Sequence, residues 1–163
     1  MATISIADND ARVQYTQAVV NNVTALTIDF PFFTLDDIKV IVTSASGTDT
    51  TLTRGTGTGT FSVTGVAVDD GFSGGTVKFN DDYSNASTTF TIFRDLPIER
   101  TTDFPTSGGF NINALNTDLD KLYAISQENR THLNRSISIL DSDSSTTANL
   151  AIPSIDNRKG KTL

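Results

Sequence analysis

Apolar residues occupy alternate positions in short runs along the first 110 residues of the chain. Such runs lie at 26–30, 38–42, 61–63, 77–79 and 90–92. Alternation places apolar side chains on one face of a β-strand and polar side chains on the other, so each run predicts a strand with one buried face. A helix would require a period of 3.6 residues, which these runs do not have.

Gly, Asn, Asp and Ser cluster between the runs, at intervals of about 8 to 15 residues. We interpret Asp69-Asp70-Gly71 and Asp81-Asp82 as turns, because Asp and Gly satisfy the backbone of a turn. Residues 55–59 read as a strand connection and not a phosphate loop, since no Gly-Lys-Ser/Thr follows them. The pattern predicts a mainly-β fold, a sandwich or a barrel, and we expect a small antiparallel β-sandwich.

Two compositional changes coincide near residue 110. All ten Phe lie at or before Phe110, and none follows. Residues 1–110 carry 6 basic and 13 acidic side chains, whereas residues 111–163 carry 6 of each. We therefore predict three parts: a β-rich head at 1–110, a helix and its exit at 111–140, and an extended polar linker at 141–163.

The composition excludes several classes of function. A chain without Cys has no disulfide framework and no thiol chemistry, and its single His, His132, cannot form a multi-His metal site. A net charge of −7 is unsuited to binding phosphate backbones. No apolar run approaches the roughly 20 residues of a membrane span. We expect no catalytic residue, no cofactor, no metal, no nucleic-acid partner and no membrane insertion.

The residues from about Ala114 to Asn134 contain neither Pro nor Gly and predict a helix, which Asn111 or Asn113 can cap. Its apolar residues continue into a 3.5-residue repeat, the period of a coiled coil. The predicted seam consists of Ile112, Leu115, Leu119, Leu122, Ser126, Asn129 and Leu133. This stripe either packs on the sheet of its own chain or joins identical chains. We favour the second arrangement, because polar layers such as Ser126 and Asn129 set register in coiled coils.

Three groups of residues occur in an order found in a known family. The first is Phe30-Pro31-Phe32, Leu35 and the run 38–42; the second is Arg94, Pro97, Arg100, Asp103-Phe104 and Gly108-Gly109; the third is Leu115-Asn116, Leu122-Tyr123 and Gln127-Glu128. In this order they resemble the N-terminal domain of tail fibre proteins of autographivirus-type podophages. The resemblance covers roughly residues 12–130.

The resemblance implies a structural role in a virion, for a protein made in the host cytoplasm. Such fibres are homotrimers whose N-terminal head docks on the adaptor and nozzle proteins of a short tail. The host surface receptor is bound only by the distal part of the fibre. Ile152-Pro153-Ser154 with Arg158 and Lys161 is similar to an element of fibre and spike chains that continues further. We therefore expect a longer fibre, with a short stand-alone anchor as the alternative.

Two other functions stay open. Carbohydrate-binding modules are often β-sandwiches, but their sites usually stack sugars on aromatic faces, and this chain has no Trp and only Tyr15, Tyr83 and Tyr123. An enzyme that degrades surface polysaccharide, anchored by this head, would need its catalytic carboxylates downstream of Leu163. Asp141-Ser142-Asp143 lacks the Gly and Glu of a calcium loop, so we interpret it as linker.

Overall fold

The computed structural model describes residues 4–7, 10–99 and 111–136 of the 163-residue chain. The described part contains seven strands, one single-turn 3-10 helix at Leu35–Asp37 and one long helix. The strands are β1 Arg12–Thr16, β2 Ala25–Ile28, β3 Ile38–Thr43, β4 Asp49–Arg54, β5 Thr60–Val68, β6 Gly71–Phe79 and β7 Thr89–Arg94, and the helix is α1 Ile112–Asn134. The predictions of a mainly-β chain and of one long helix are confirmed.

The strands form one sheet in the order β1-β7-β3-β4-β5-β6-β2. Its neighbours are antiparallel except β4 and β5, which pair in parallel at Thr53–Thr60 and Arg54–Phe61. The chain leaves β4, crosses residues 55–59 and restarts beside the strand that it left, with the Gly55 N–H donating to Phe61 O at 2.9 Å. The prediction of a wholly antiparallel sheet is therefore wrong at this crossing.

The sheet curls until its two edge strands approach each other. The Tyr15 hydroxyl on β1 donates to Thr27 O on β2 at 2.9 Å. This hydrogen bond joins the two outer edges of the sheet. Within the described residues the ladder runs without interruption from β1 to β2, so the shape is nearly that of a barrel. The expected two-sheet sandwich is not confirmed. Period-two alternation does not distinguish the two shapes, because both bury one face of each strand.

Phenylalanine fills the interior of the curled sheet. Phe30, Phe32, Phe61, Phe79 and Phe90 are fully buried. The Phe79 and Phe90 rings lie 4.6 Å apart between centroids, and Tyr83 meets Phe90 edge-on at 5.2 Å. Burying a side chain of this size contributes about 1.5–3 kcal/mol. The concentration of Phe before residue 110 therefore marks the core of the head.

One acidic pair lies in a turn, as predicted, and the other lies in a loop. Asp69 and Asp70 form the turn between β5 and β6. Asp81 Oδ2 accepts the Gly59 N–H at 2.6 Å, and Asp82 Oδ1 accepts the Asn21 N–H at 2.7 Å. The Asp81 and Asp82 carboxylates therefore satisfy backbone donors of other loops and not of a turn of their own.

Helix α1 begins two residues before the predicted start and ends at the predicted residue. Asn111 is the cap, because its side-chain oxygen accepts the Ala114 N–H at 3.2 Å. No helix of the described residues is long and apolar enough to cross a membrane. The predictions for residues 137–163, including Asp141-Ser142-Asp143, lie outside the described residues.

Candidate assembly site

Arg94, the last residue of β7, lies under α1 with no side-chain exposure to solvent. Its Nε donates to Glu128 Oε1 at 2.6 Å, and its Nη1 donates to Pro31 O at 2.6 Å. Its Nη2 donates to Ala124 O at 3.1 Å and to Gln127 Oε1 at 3.3 Å. The guanidinium carries five N–H donors on three nitrogens in a fixed plane, so it reaches acceptors spread more widely than the three donors on the single nitrogen of a lysine can reach. We call this set of contacts the Arg94 junction.

Glu128 completes the junction from the helix side. Its side chain is 11% exposed, and its second oxygen, Oε2, accepts the Leu96 N–H at 3.1 Å. A buried ion pair offsets its desolvation cost only when the remaining donors and acceptors are also paired. Both partners meet this condition here, so the pair fixes the position of α1 relative to β7.

The N-terminal segment joins the same contact. The Arg94 N–H donates to Ala11 O at 3.0 Å, and the Gln127 side-chain amide donates to Ala7 O. Thr131 Oγ1 lies 3.3 Å from Asp10 Oδ1. Ala7 and Asp10 are thereby linked to the helix, and Ala11 is linked to β7.

A small apolar cluster seals the junction from solvent. Ala124 has 0% exposure and packs with Ile4, Phe33 and Leu96. The absence of a longer side chain at position 124 lets the helix backbone approach the head closely enough for Ala124 O to reach Arg94. Lys121 lies above the Phe33 ring, with Nζ 5.9 Å from the centroid.

The predicted seam faces away from the head. Ile112 is 61% exposed, Leu119 43%, Leu122 60% and Leu133 69%, and Ser126 and Asn129 are also exposed, whereas Leu115 is half-buried. At 100° per residue, Ala124 lies about 170° around the helix from the midline between Leu119 and Leu122. The helix therefore packs on its own head through the face that contains Ala124. The seam residues other than Leu115 are exposed in the single chain.

The junction connects the three groups of residues that carry the family resemblance. Phe30 and Phe32 are core residues, the Pro31 carbonyl binds Arg94, and Gln127-Glu128 completes the contact from the helix. Leu35 is half-buried and Pro97 is exposed. Arg100, Asp103 and Phe104 lie outside the described residues, as do Gly108 and Gly109.

Sequence reasoning did not assign roles to Glu128, Gln127 or the Pro31 carbonyl. The available signal was one Arg directly after the apolar strand 90–93 and one Glu on the polar side of the predicted helix. Arg94 and Glu128 are 34 positions apart, and no strand or helix period relates residues at that separation. The contact depends on how the helix is placed, which is a tertiary property.

Like charges meet at two points along the helix. Burial, with Arg135 as a second cause, lowers the pKa of Arg12, while Asp10 opposes the shift. Burial, followed by the charge of Asp70, raises the pKa of Asp120. Helix packing holds these groups near one another, so they oppose the attachment of α1 to the head.

The described residues contain no candidate metal site. Among them, no three His, Cys, Asp or Glu side chains are grouped so that they could hold a metal ion. His132 is exposed in the last turn of α1, where a cation interacts favourably with the helix dipole.

The chain was compared with known proteins. No protein-family model matches it, and no curated protein sequence matches it significantly.

Proposed function

We propose that this chain is the N-terminal anchor of a homotrimeric phage tail fibre, with a structural and not a catalytic role. The observation that carries the proposal is the orientation of α1. The helix is fixed to its own head through Ala124 and the Arg94 junction, and it presents the predicted seam to solvent on the opposite side. A helix with both surfaces can join three chains without detaching from its head.

The exposed seam gives trimerisation a driving force. Burial of a Leu or Ile side chain contributes about 1.5–3 kcal/mol, and each chain supplies Ile112, Leu119, Leu122 and Leu133. Ser126 and Asn129 add polar layers, which restrict register and oligomeric state at some cost in stability. About three heptads make a short coiled coil, so we expect the heads to contribute to the assembly as well.

The anchoring role rests on the order of the motif groups. The Arg94 junction connects Pro31, Arg94 and Gln127-Glu128, and these residues belong to the three segments that resemble the fibre family. A fibre anchor transmits force from the shaft to the tail, which requires a stiff connection between head and helix. In this proposal the head docks on the adaptor and nozzle proteins of the tail, with three copies acting through effective concentration.

Light scattering on the purified 163-residue chain, at several concentrations, tests the assembly. The single chain has a mass of 17.5 kDa, so a trimer has a mass of about 52 kDa. A mass near that of the trimer supports the proposal, and a monomer at every concentration contradicts it.

A second experiment tests anchoring independently of assembly. The purified chain is mixed with fibre-less tails of the phage that encodes it, and co-sedimentation is measured. Specific, saturable binding supports the anchoring role. A trimer that does not bind such tails contradicts the anchoring role while leaving the assembly intact.

A further inference from the structure

A groove runs beside α1 on one flank of the helix. It has a volume of about 490 Å³ and lies between the helix, the start of β3 and the segment after β7. Its apolar floor includes Phe33, Leu96 and Ile125. Its rim carries Asp95 and Glu99 and also Lys39 and Lys121. The groove therefore offers an apolar floor beneath a charged rim with carboxylate acceptors.

The other flank of α1 carries an exposed aromatic side chain. Tyr123 is 69% exposed and lies next to Arg130 and Ile6 at the opposite side of the helix. In a coiled coil with Leu119 at position a and Leu122 at position d, Ile125 is at position g and Tyr123 at position e. Parallel coiled coils place the g side of each helix against the e side of the next.

We propose that Tyr123 of one chain occupies the groove beside Ile125 of the neighbouring chain, so that three such contacts close the ring of heads around the helices. This inference rests on the proposed trimer and identifies a contact outside its seam. The occupant is a second copy of this chain. Head packing on the far side of α1 leaves both flanks available to neighbours, because Ala124 lies opposite the seam.

The chemistry of the two flanks is complementary. A tyrosine presents an apolar ring with a polar end, so the ring can cover Phe33, Leu96 and Ile125 while the hydroxyl donates to Asp95 or Glu99. Such contacts are heterologous, and a three-fold axis closes them into a ring without leaving an open end.

Thiol-specific cross-linking tests the contact directly, since the chain contains no Cys. The double variant Glu99→Cys with Tyr123→Cys places one thiol on each flank. The tyrosine and glutamate side chains hold the two backbones too far apart for a disulfide, so a short bismaleimide is used to bridge the thiols. We expect a covalently closed trimer on a denaturing gel. The matched control pairs Tyr123→Cys with Ser46→Cys, whose residue 46 lies in the exposed β3–β4 turn, and it should give no covalent trimer.

The outcomes separate this inference from the proposed function. A wild-type chain that is monomeric at every concentration contradicts both. A trimeric wild-type chain whose Glu99→Cys, Tyr123→Cys variant cross-links no more than the control contradicts this inference alone.

A second measurement does not depend on cross-linking. Tyr123→Ala should raise the concentration at the midpoint of trimer assembly about tenfold, the effect of losing three aromatic anchors. Tyr123→Phe keeps the ring and should have a smaller effect. Equal midpoints for the wild type and Tyr123→Ala would overturn the proposal.

Discussion

Arg94 places a full positive charge where its side chain has no contact with solvent. Burial of an unpaired charge is far too costly for a folded protein, so the guanidinium must have acceptors on every side. Glu128 supplies the opposite charge, and Pro31, Ala124 and Gln127 supply the remaining oxygens. These acceptors lie in α1 and in the segment at Pro31, so the hydrogen bonds of Arg94 join both of them to β7.

Glu128→Ala should therefore lower the free energy of unfolding by about 3 kcal/mol, because it leaves Arg94 buried without a counter-charge. Urea denaturation at low protein concentration measures the change. Asp36→Ala is the matched control, since it removes the exposed ion pair with Arg54 and should cost less than about 1 kcal/mol. Similar losses in the two variants would contradict the buried role of Glu128.

Asp120 predicts that the free energy of unfolding depends on pH. Its pKa is raised in the folded state, by burial first and then by Asp70, so folding binds its proton more tightly than the unfolded chain does. The charged form consequently destabilises the fold above the folded-state pKa, and this penalty disappears as the pH falls below the unfolded value. Asp120→Asn should stabilise the protein at pH 7 and lose its advantage near pH 3. Parallel pH profiles for the two proteins would exclude this account.

In helix α1 and in the β5–β6 hairpin, a small residue controls how closely neighbouring elements pack. On α1, residues near Ala124 pack on the head, whereas none of the seam residues is buried. On the hairpin, Gly65 on β5 lies beneath the Phe72 ring of β6, which stacks on Phe32 with centroids 4.9 Å apart. In both cases a small residue lets a large neighbour approach.

Leu119→Asp should dissociate the proposed trimer and leave the β-sheet circular dichroism intact, because Leu119 lies on the seam and away from the head core. Light scattering and circular dichroism on the same samples measure both properties. Asn113→Asp adds the same charge at an exposed helix position outside the seam and its flanks, and it should leave the mass unchanged. If Leu119→Asp melts the head, the seam residues belong to the core of their own chain.

Gly65→Ala should destabilise the head by about 1–3 kcal/mol. An added Cβ would lie 2.1 Å from the Phe72 ring, so the Phe72–Phe32 stack would have to shift. Gly57→Ala is the control, since no atom lies within 4 Å of a Cβ there and its backbone is outside the left-handed region. The comparison uses thermal unfolding, and an unchanged midpoint for Gly65→Ala would refute the packing argument.

The whole molecule combines an acidic head with a helix whose apolar stripe is uncovered. If three chains bury that stripe together, unfolding releases three chains and its midpoint depends on concentration. We expect the melting temperature to rise by about 2–4 °C for each tenfold increase in concentration. Differential scanning calorimetry over a hundredfold range measures it. A constant midpoint would indicate that the stripe is not shared between chains.

Several features of the fold could be predicted because they depend on neighbouring residues. The alternation at 38–42 and 90–92 became β3 and β7, and Asn111 became the cap of a helix that ends at the predicted Asn134. Side-chain period and capping are local effects, so a single sequence reports them. The seam positions follow from the same local periodicity, and their exposure agrees with an uncovered stripe.

The sequence alone therefore determined five of the seven strands, the Phe-rich core, the helix and its apolar stripe, since each arises from periodicity or from the burial preference of a residue type. The alternating runs do not include β1 or β4. Only the tertiary structure decided that one curled sheet with a parallel crossing replaces a sandwich, and that Arg94 pairs with Glu128 beneath Ala124. The physical reason is distance along the chain. Pairing of strands and burial of an ion pair join residues with no local relation, and the free energy of the assembled core selects among arrangements that satisfy the same pattern.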